Sequence, residues 1–252
     1  MLIMGHLSIG NRMKRNYEQR FRFKLPLRMP VLIRIDGKTF HNFTKGFKEP
    51  FDDNLMEVMD YTAYFLCQEI QTTVFAYIQS DEITLWLHNY KKLTSDAWFD
   101  NNIQKIVSVS ASLATYHFNK WFQKIFRENG AITEYDNPAH ILDRYALFDA
   151  RVWVLPENEV CNYFIWRQLD WQRNSLNMLS RSLYSQKELN GKKREELHDM
   201  IHEKGQNWND LPVPMKRGRC VIKKDGEWVV DNEIPDFTKD RIYVERFLTT
   251  EE

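Results

Sequence analysis

The stretch that most restricts how this chain can fold is a pair of short apolar runs, residues 74–78 and 83–87, parted only by Gln79-Ser80-Asp81-Glu82. Two runs of that length across so short a polar joint have the spacing of a hairpin of buried strands. An equally short β-branched run, residues 31–35, stops abruptly at Asp36-Gly37. Asp-Gly after a strand commonly marks the corner of a tight hairpin. Residues 38–45 lack the alternation of a partner strand, so the reading here is a turn into a loop, where glycine lets backbone approach a ligand closely.

Helical periodicity fills the gaps between these runs. Pro50-Phe51-Asp52-Asp53 opens a helix, proline and acids suiting its first turn, and Leu55, Met59, Ala63, Leu66 and Ile70 recur on one face. A longer helix over residues 100–126 carries Ile103, Val107, Ser110, Ala114, Phe118, Phe122 and Ile125 as a stripe. Gly130 and Pro138 make 127–144 a loop, and residues 145–155 read as a fourth strand stopped by Pro156. The order β-α-β-β-α-β is a split βαβ pattern of the α+β class: a four-stranded antiparallel sheet with two helices on one face. In that topology the first and third strands are neighbours. Asp36, at a strand end, then falls beside Asp81, at the hairpin tip.

The chain divides into a basic N-terminal arm (1–29), the sheet domain (30–156) and a helical C-terminal region (157–252) with a terminal hairpin turning at Asp225-Gly226. Lys+Arg and Asp+Glu cancel at 35 each, so a nucleic-acid partner must be held by local clusters. Arg12, Lys14, Arg15, Arg20, Arg22, Lys24 and Arg28 form one, and Lys216, Arg217, Arg219, Lys223 and Lys224 another. Short basic runs by themselves are ordinary solvated faces. Only three cysteines occur, in no metal-like spacing, which argues for a reducing compartment and against a disulfide framework or structural zinc. Residues 1–15 make a poor signal peptide, and no stretch approaches the ~20 apolar residues of a membrane span. The expectation is a soluble, cytoplasmic protein with no membrane partner.

Paired aspartates at a strand end and a hairpin tip suit phosphoryl or nucleotidyl transfer with two magnesium ions, because magnesium is held by few carboxylates and substrate phosphates complete its shell. One aspartate in a turn is more often a turn-former; the pairing carries the reading. His198 and His202, four apart on a polar helix, lack the glutamate and third ligand of a zinc-protease site. No G-x-S-x-G and no G-x-x-x-x-G-K occurs.

Arg34-Ile35-Asp36-Gly37-Lys38-Thr39-Phe40-His41, Gln79-Ser80-Asp81-Glu82 and Trp166-Arg167-Gln168 with Asp170 resemble the signature motifs of the tRNAHis guanylyltransferase family. The resemblance runs from about residue 10 to about residue 224. Residues 98–105 and 203–212 are similar to the bacterial and archaeal branch, the guanylyltransferase-like reverse polymerases. The resemblance implies a polymerase-like palm with a helical C-terminal region. It implies 3′–5′ addition of nucleotides to the 5′ end of tRNA, with the 3′-hydroxyl of an incoming nucleoside triphosphate attacking a 5′ end activated as a triphosphate or by an adenylyl group from ATP. Two Mg2+ ions on Asp36, the Gly37 carbonyl and Asp81 follow from it, with Glu82 as a supporting catalytic carboxylate. So does binding of GTP, another NTP or ATP by Asp36, Gly37, Lys38, Thr39, Phe40, His41, Ser80, Asp81 and Lys105. Arg34, Arg151, Arg167 and Arg173 are the implied RNA contacts, and a homo-oligomer, a tetramer, the implied assembly.

The chain departs from the eukaryotic motifs at Glu49, where they carry lysine, at Asn102, where they carry arginine, and at Gln172-Arg173, where they carry a histidine-led run. That run is associated with selecting tRNAHis. Its loss points to templated repair of 5′-truncated tRNAs. A nucleotide cyclase on the same palm and a non-catalytic RNA-binding protein are the rival readings. The basic clusters weigh against the first and the complete aspartate motifs against the second.

Overall fold

Strand β1 (Val31–Gly37) turns Val31, Ile33 and Ile35 to one side and Leu32, Arg34 and Asp36 to the other, the period-two pattern of a strand covered on both faces. The same logic shapes β2 (Thr73–Gln79), β3 (Glu82–Leu87) and β4 (Phe148–Val154). The computed structural model describes residues 8–92 and 94–248; residues 1–7 of the expected arm and 249–252 of the expected C-terminal region lie outside the described residues. The strands pair antiparallel in the order β4-β1-β3-β2, with β1 and β3 side by side. This is the split βαβ sheet.

Two strands more than expected extend it. The hairpin of β5 (Arg219–Lys224) and β6 (Glu227–Asp231) does not stand apart in the C-terminal region but pairs with the free edge of β2, Ile78 opposite Arg219. The sheet therefore has six strands, ordered β4-β1-β3-β2-β5-β6. Gly218 permits this docking: a Cβ there would lie 2.5 Å from the Ile78 carbonyl oxygen. Arg219, 2% exposed, ion-pairs with Asp60 and anchors the new strand to the helix beneath it.

Helix α1 (Ile9–Asn16), capped by the Ser8 hydroxyl, buries none of its residues. Helix α2 (Asp53–Glu69) begins where the Asp52 carboxylate accepts the Leu55 amide at 2.9 Å, a side-chain N-cap. Asn102 caps α3 (Ile103–Gln123) in the same way, through the Lys105 amide at 3.0 Å. Together α2 and α3 cover the face bearing Val31, Ile33, Ile35, Ala76, Ile78, Ile83 and Leu85, all with no exposure. Each of these valine, isoleucine and leucine side chains removed from water contributes about 1.5–3 kcal/mol. Phe40 and Phe43, just past β1, pack edge-on against Phe118 of α3 at 5.5 and 5.3 Å, which fixes the loop after Asp36. The expected loop 127–144 contains a short helix, Pro138–Leu142, opened by its proline and held by the buried Ile141.

Helix α4 (Glu157–Leu183) covers the opposite face through Val160, Cys161 and Phe164, which meet Leu32, Phe75, Tyr77 and Trp86. Ile234, Phe237 and Val244 complete that layer. The far half of α4 packs Leu176 and Leu179 on Leu197 and Ile201 of α5 (Arg194–Glu203) and on Trp208.

Candidate active site

The β2–β3 turn is tight, with Ser80 at φ 47°. The Gly37 N–H donates to the Asp81 carbonyl oxygen at 3.2 Å, which ties the end of β1 to the hairpin tip, and Asp36 lies opposite Glu82 across the ladder. Position 37 has no room for a side chain. A Cβ there would sit 2.4 Å from Phe40 Cδ2 and 2.8 Å from Asp81 Oδ2. Burial, then the neighbouring Asp36 charge, pushes the Asp81 carboxyl up to about 6. The nearest cation to Asp36 is the Arg151 guanidinium, Nη2 3.8 Å from Oδ2 and 53% exposed. Two crowded carboxylates, one of them largely buried, with little counter-charge of their own, fit a hard cation. Among the described residues no cluster of three or more His, Cys, Asp or Glu side chains is placed to hold a metal. The oxygen set of Asp36, Asp81 and the Gly37 carbonyl, left to be completed by phosphate and water, matches magnesium's habits.

Glu82, expected as a supporting carboxylate, lines the smaller cavity with both aspartates and is tied to α4. Arg167 of α4 donates to both of its oxygens, Nε at 2.8 Å and Nη2 at 2.7 Å, and Gln79 Nε2 adds a bond at 3.1 Å. Burial raises the Glu82 carboxyl, and Arg167 offsets only part of that. The pair clamps α4 onto the sheet beside the aspartates. Arg167, 6% exposed and also 3.2 Å from Asp170, is thereby withdrawn from the RNA contact expected of it. Its neighbour Gln168 is equally structural: it donates to the Pro235 carbonyl at 3.0 Å and accepts the Phe237 amide at 2.8 Å.

Two cavities flank the hairpin tip. The larger, about 650 Å³, is walled by Gly37, Thr39, Phe40, His41, Ser80 and Asp81 from the expected nucleotide loop, and by Phe51, Met56, Met59 and Trp171. The smaller, about 390 Å³, is walled by Asp36, Gln79, Ser80, Asp81, Glu82 and Arg167, with Trp171, Asn174 and Asn177 from α4. Lys38 lines neither; its amide donates to the Leu147 carbonyl at 2.8 Å and its side chain is exposed. Lys105 is also elsewhere. Thr115 and Asn119 of α3 bond the backbone of Phe148 and Ala146 at the site end of β4, whereas Lys105 lies in the first turn, about 15 Å back along the helix axis. Its ammonium rests 5.5 Å from the Phe99 ring. Arg34 lies opposite Arg151 in the register, with Nε 3.9 Å from Glu82. Arg173 is 71% exposed and pinned by Asp170. Glu49 and Lys48 both line the larger cavity, Lys48 paired with Glu134.

Residues 10–156 match the family described as Thg1: tRNAHis guanylyltransferase. The chain belongs to the tRNAHis guanylyltransferase family. It is thus a nucleotidyltransferase. A bacterial tRNA(His) guanylyltransferase (Thg1)-like protein solved with ATP is 45% identical, with a TM-score of 0.87 over 97% of this chain and 100% of that one. Another, solved with GTP, is 44% identical with a TM-score of 0.77, covering 95% and 99%. The probable tRNA(His) guanylyltransferase of Drosophila melanogaster is 29% identical over 77% of this chain and 67% of that protein.

In this member of the guanylyltransferase family, the site residues that the motifs did not name come from the start of α2, with Phe51 just before it, and from α4. Trp171, Asn174, Met178 and Arg181 all face the hairpin tip. Their spacing of three and four residues was the signal available in the sequence.

Proposed function

We propose that this chain adds nucleotides to the 5′ end of tRNA in the 3′–5′ direction, selects them by pairing with the opposing strand, and so restores 5′-truncated tRNAs. The observation that carries the reading is a cavity of about 650 Å³, a size that suits a nucleoside triphosphate, headed by Gly37 and Asp81, with Asp36 beside Asp81 in the wall of the adjoining smaller cavity. The ATP and GTP held by the similar bacterial proteins support an NTP as substrate and ATP as activator here.

In the reaction the 3′-oxygen of the incoming nucleotide bonds to the 5′ phosphorus of the RNA. The bond from that phosphorus to pyrophosphate, or to AMP after adenylylation, breaks. Asp36, Asp81 and the Gly37 carbonyl would hold two magnesium ions, which when bound supply charge neutralisation at the attacking and leaving oxygens. The chain's own part is orientation. The Gly37–Asp81 hydrogen bond fixes the two carboxylates relative to each other, and the Glu82–Arg167 clamp fixes the helix above them. Arg151, Arg173 and the arm cations Arg20, Arg22 and Lys24 are exposed and suited to RNA phosphates, which position the duplex without reading bases. Gln172-Arg173 in place of the histidine-led run supports selection by template over selection of one tRNA. A homo-oligomer, a tetramer, and a cytoplasmic location belong to the same proposal. Among the described residues no helix is long and apolar enough to cross a membrane.

The test compares kcat/KM for tRNAs lacking the first nucleotide, with each templating base in turn, against intact tRNAHis, in the presence of magnesium and labelled NTPs. Addition of the complementary nucleotide to several tRNAs is the expected result. Guanosine added whatever the template, or activity confined to tRNAHis, would overturn repair and leave the family membership untouched.

A further inference from the structure

The last turns of α4 form a shared wall. Ser80, Asp81, Trp171, Met178 and Arg181 line both cavities, so the two open onto one seam beside the hairpin tip. The cavities differ in character. The larger has the apolar floor of Phe51, Met56 and Met59 that suits a base, whereas the smaller is lined mainly by polar groups, Asn174 and Asn177 among them. A nucleotide seated by its base in the larger cavity would run its phosphates past Ser80 and Asp81 towards the smaller.

Most cations at this seam are spent within the protein. Lys48 pairs with Glu134, Arg219 with Asp60, and Arg167 with Glu82 and Asp170. Among the described residues, the Arg181 side chain has no hydrogen-bond or ion-pair partner and is exposed to solvent. It stands in the last turn of α4, where the helix's free carbonyls favour a cation, so its position is comfortable without a partner. A guanidinium offers planar, paired donors that match phosphate oxygens. None of the motifs shared with the family includes this residue.

We propose that Arg181 is a substrate-binding residue that grips the polyphosphate of the nucleoside triphosphate at the seam between the two cavities. This rests on the nucleotidyl-transfer reading above. The guanidinium brings a positive charge to the side of the phosphates away from Asp36 and Asp81. It thereby orients the chain of phosphates rather than the base.

Calorimetric titration of the full chain with magnesium tripolyphosphate, GTP and guanosine tests the assignment. Arg181→Gln should weaken tripolyphosphate and GTP by about tenfold or more, leave guanosine binding unchanged, and leave Tm within about 2 °C of the parent. Arg181→Lys should recover part of the loss. In turnover, the KM for the NTP should rise while the KM for tRNA holds. Tripolyphosphate binding that is absent in the parent or unaltered in Arg181→Gln would overturn the proposal. So would loss of guanosine binding in step with GTP, or a defect confined to the KM for tRNA. Failure of the parent to extend any tRNA, with Arg181-dependent tripolyphosphate binding intact, would instead refute the repair function and leave this site standing.

Discussion

Replacing Arg167 with alanine is the sharpest probe of how the catalytic end of the sheet is held. The guanidinium bonds both Glu82 oxygens at 2.8 and 2.7 Å and lies 3.2 Å from Asp170. Without it, Glu82 stays buried near Asp36, with Gln79 at 3.1 Å and Arg34 Nε at 3.9 Å as the remaining compensation. Removing one partner of a buried ion pair costs about 3–5 kcal/mol. Arg34, and water entering through the smaller cavity, reduce this by about 1 kcal/mol, to about 2–4 kcal/mol. In a chain of this size each kcal/mol moves Tm by about 2–4 °C, so Arg167→Ala should melt roughly 4–16 °C lower. Circular dichroism melts near neutral pH measure it. The deficit also has a pH signature. The orphaned Glu82 has a folded pKa raised above its unfolded value, so its ionised form costs stability above the ordinary carboxylate range. That cost fades as pH falls into the range. Glu82→Gln combined with Arg167→Ala removes the orphan charge and should melt above Arg167→Ala alone. A single variant that melts with the parent, or a double variant that recovers nothing, would refute the clamp.

Asp36→Ala and Asp81→Ala should each abolish nucleotide addition while circular dichroism reports an intact fold; near-parental turnover in either would sink the metal assignment. Asp81→Asn should in addition melt no lower than the parent in chelator, because it relieves a buried charge beside Asp36. Gly37→Ala drives a methyl against Phe40 and Asp81, and overpacking of this kind costs about 1–3 kcal/mol; we expect a lower Tm and a kcat loss larger than the KM change, checked by steady-state kinetics. Burial works to raise the Asp231 carboxyl, but the Tyr243 hydroxyl at 2.8 Å, the Glu233 amide at 3.1 Å and Lys224 outweigh it and hold it below its ordinary value. Its contribution is therefore present above the unfolded pKa and lost as pH falls through the folded one. Asp231→Asn should cost about 1 kcal/mol at neutral pH, and urea melts should show the gap closing under acid conditions.

The four strands β1 to β4 were legible because short apolar runs with abrupt polar stops leave little else to form, and the split topology then brings Asp36 to Asp81 of its own accord. What the sequence hid was pairing over distance. The 219–231 hairpin could be read as a hairpin, but its berth on β2 depends on Gly218 meeting Ile78 and on Arg219 finding Asp60. Arg167 was expected at the RNA because the resemblance implies it, and nothing near it in the sequence shows that Glu82, 85 positions earlier, binds its guanidinium through two nitrogens. The place of Lys105, in the first turn and away from the hairpin tip, was hidden for another reason: nothing local says which end of a helix lies over the site. Arg181 was visible in spacing from Trp171, while its lack of a partner could be seen only in the fold.

The berth of the hairpin also bears on how the protein is made. β2 leaves the ribosome long before β5: Tyr77, whose hydroxyl bonds the Arg217 carbonyl, waits 140 positions for that partner. Until then the flank of β2 carries open amide and carbonyl groups, and the apolar face of Phe75, Tyr77 and Trp86, bare until α4 is made, still lacks Ile234, Phe237 and Val244. Such an edge is where strands from other chains add. A fragment limited to residues 10–156, the segment that matches the family, keeps both aspartates and should nonetheless aggregate, as light scattering would report. Nascent chains are thus most vulnerable when they already carry their chemistry, and they mature into enzyme only once the trailing hairpin has closed the flank.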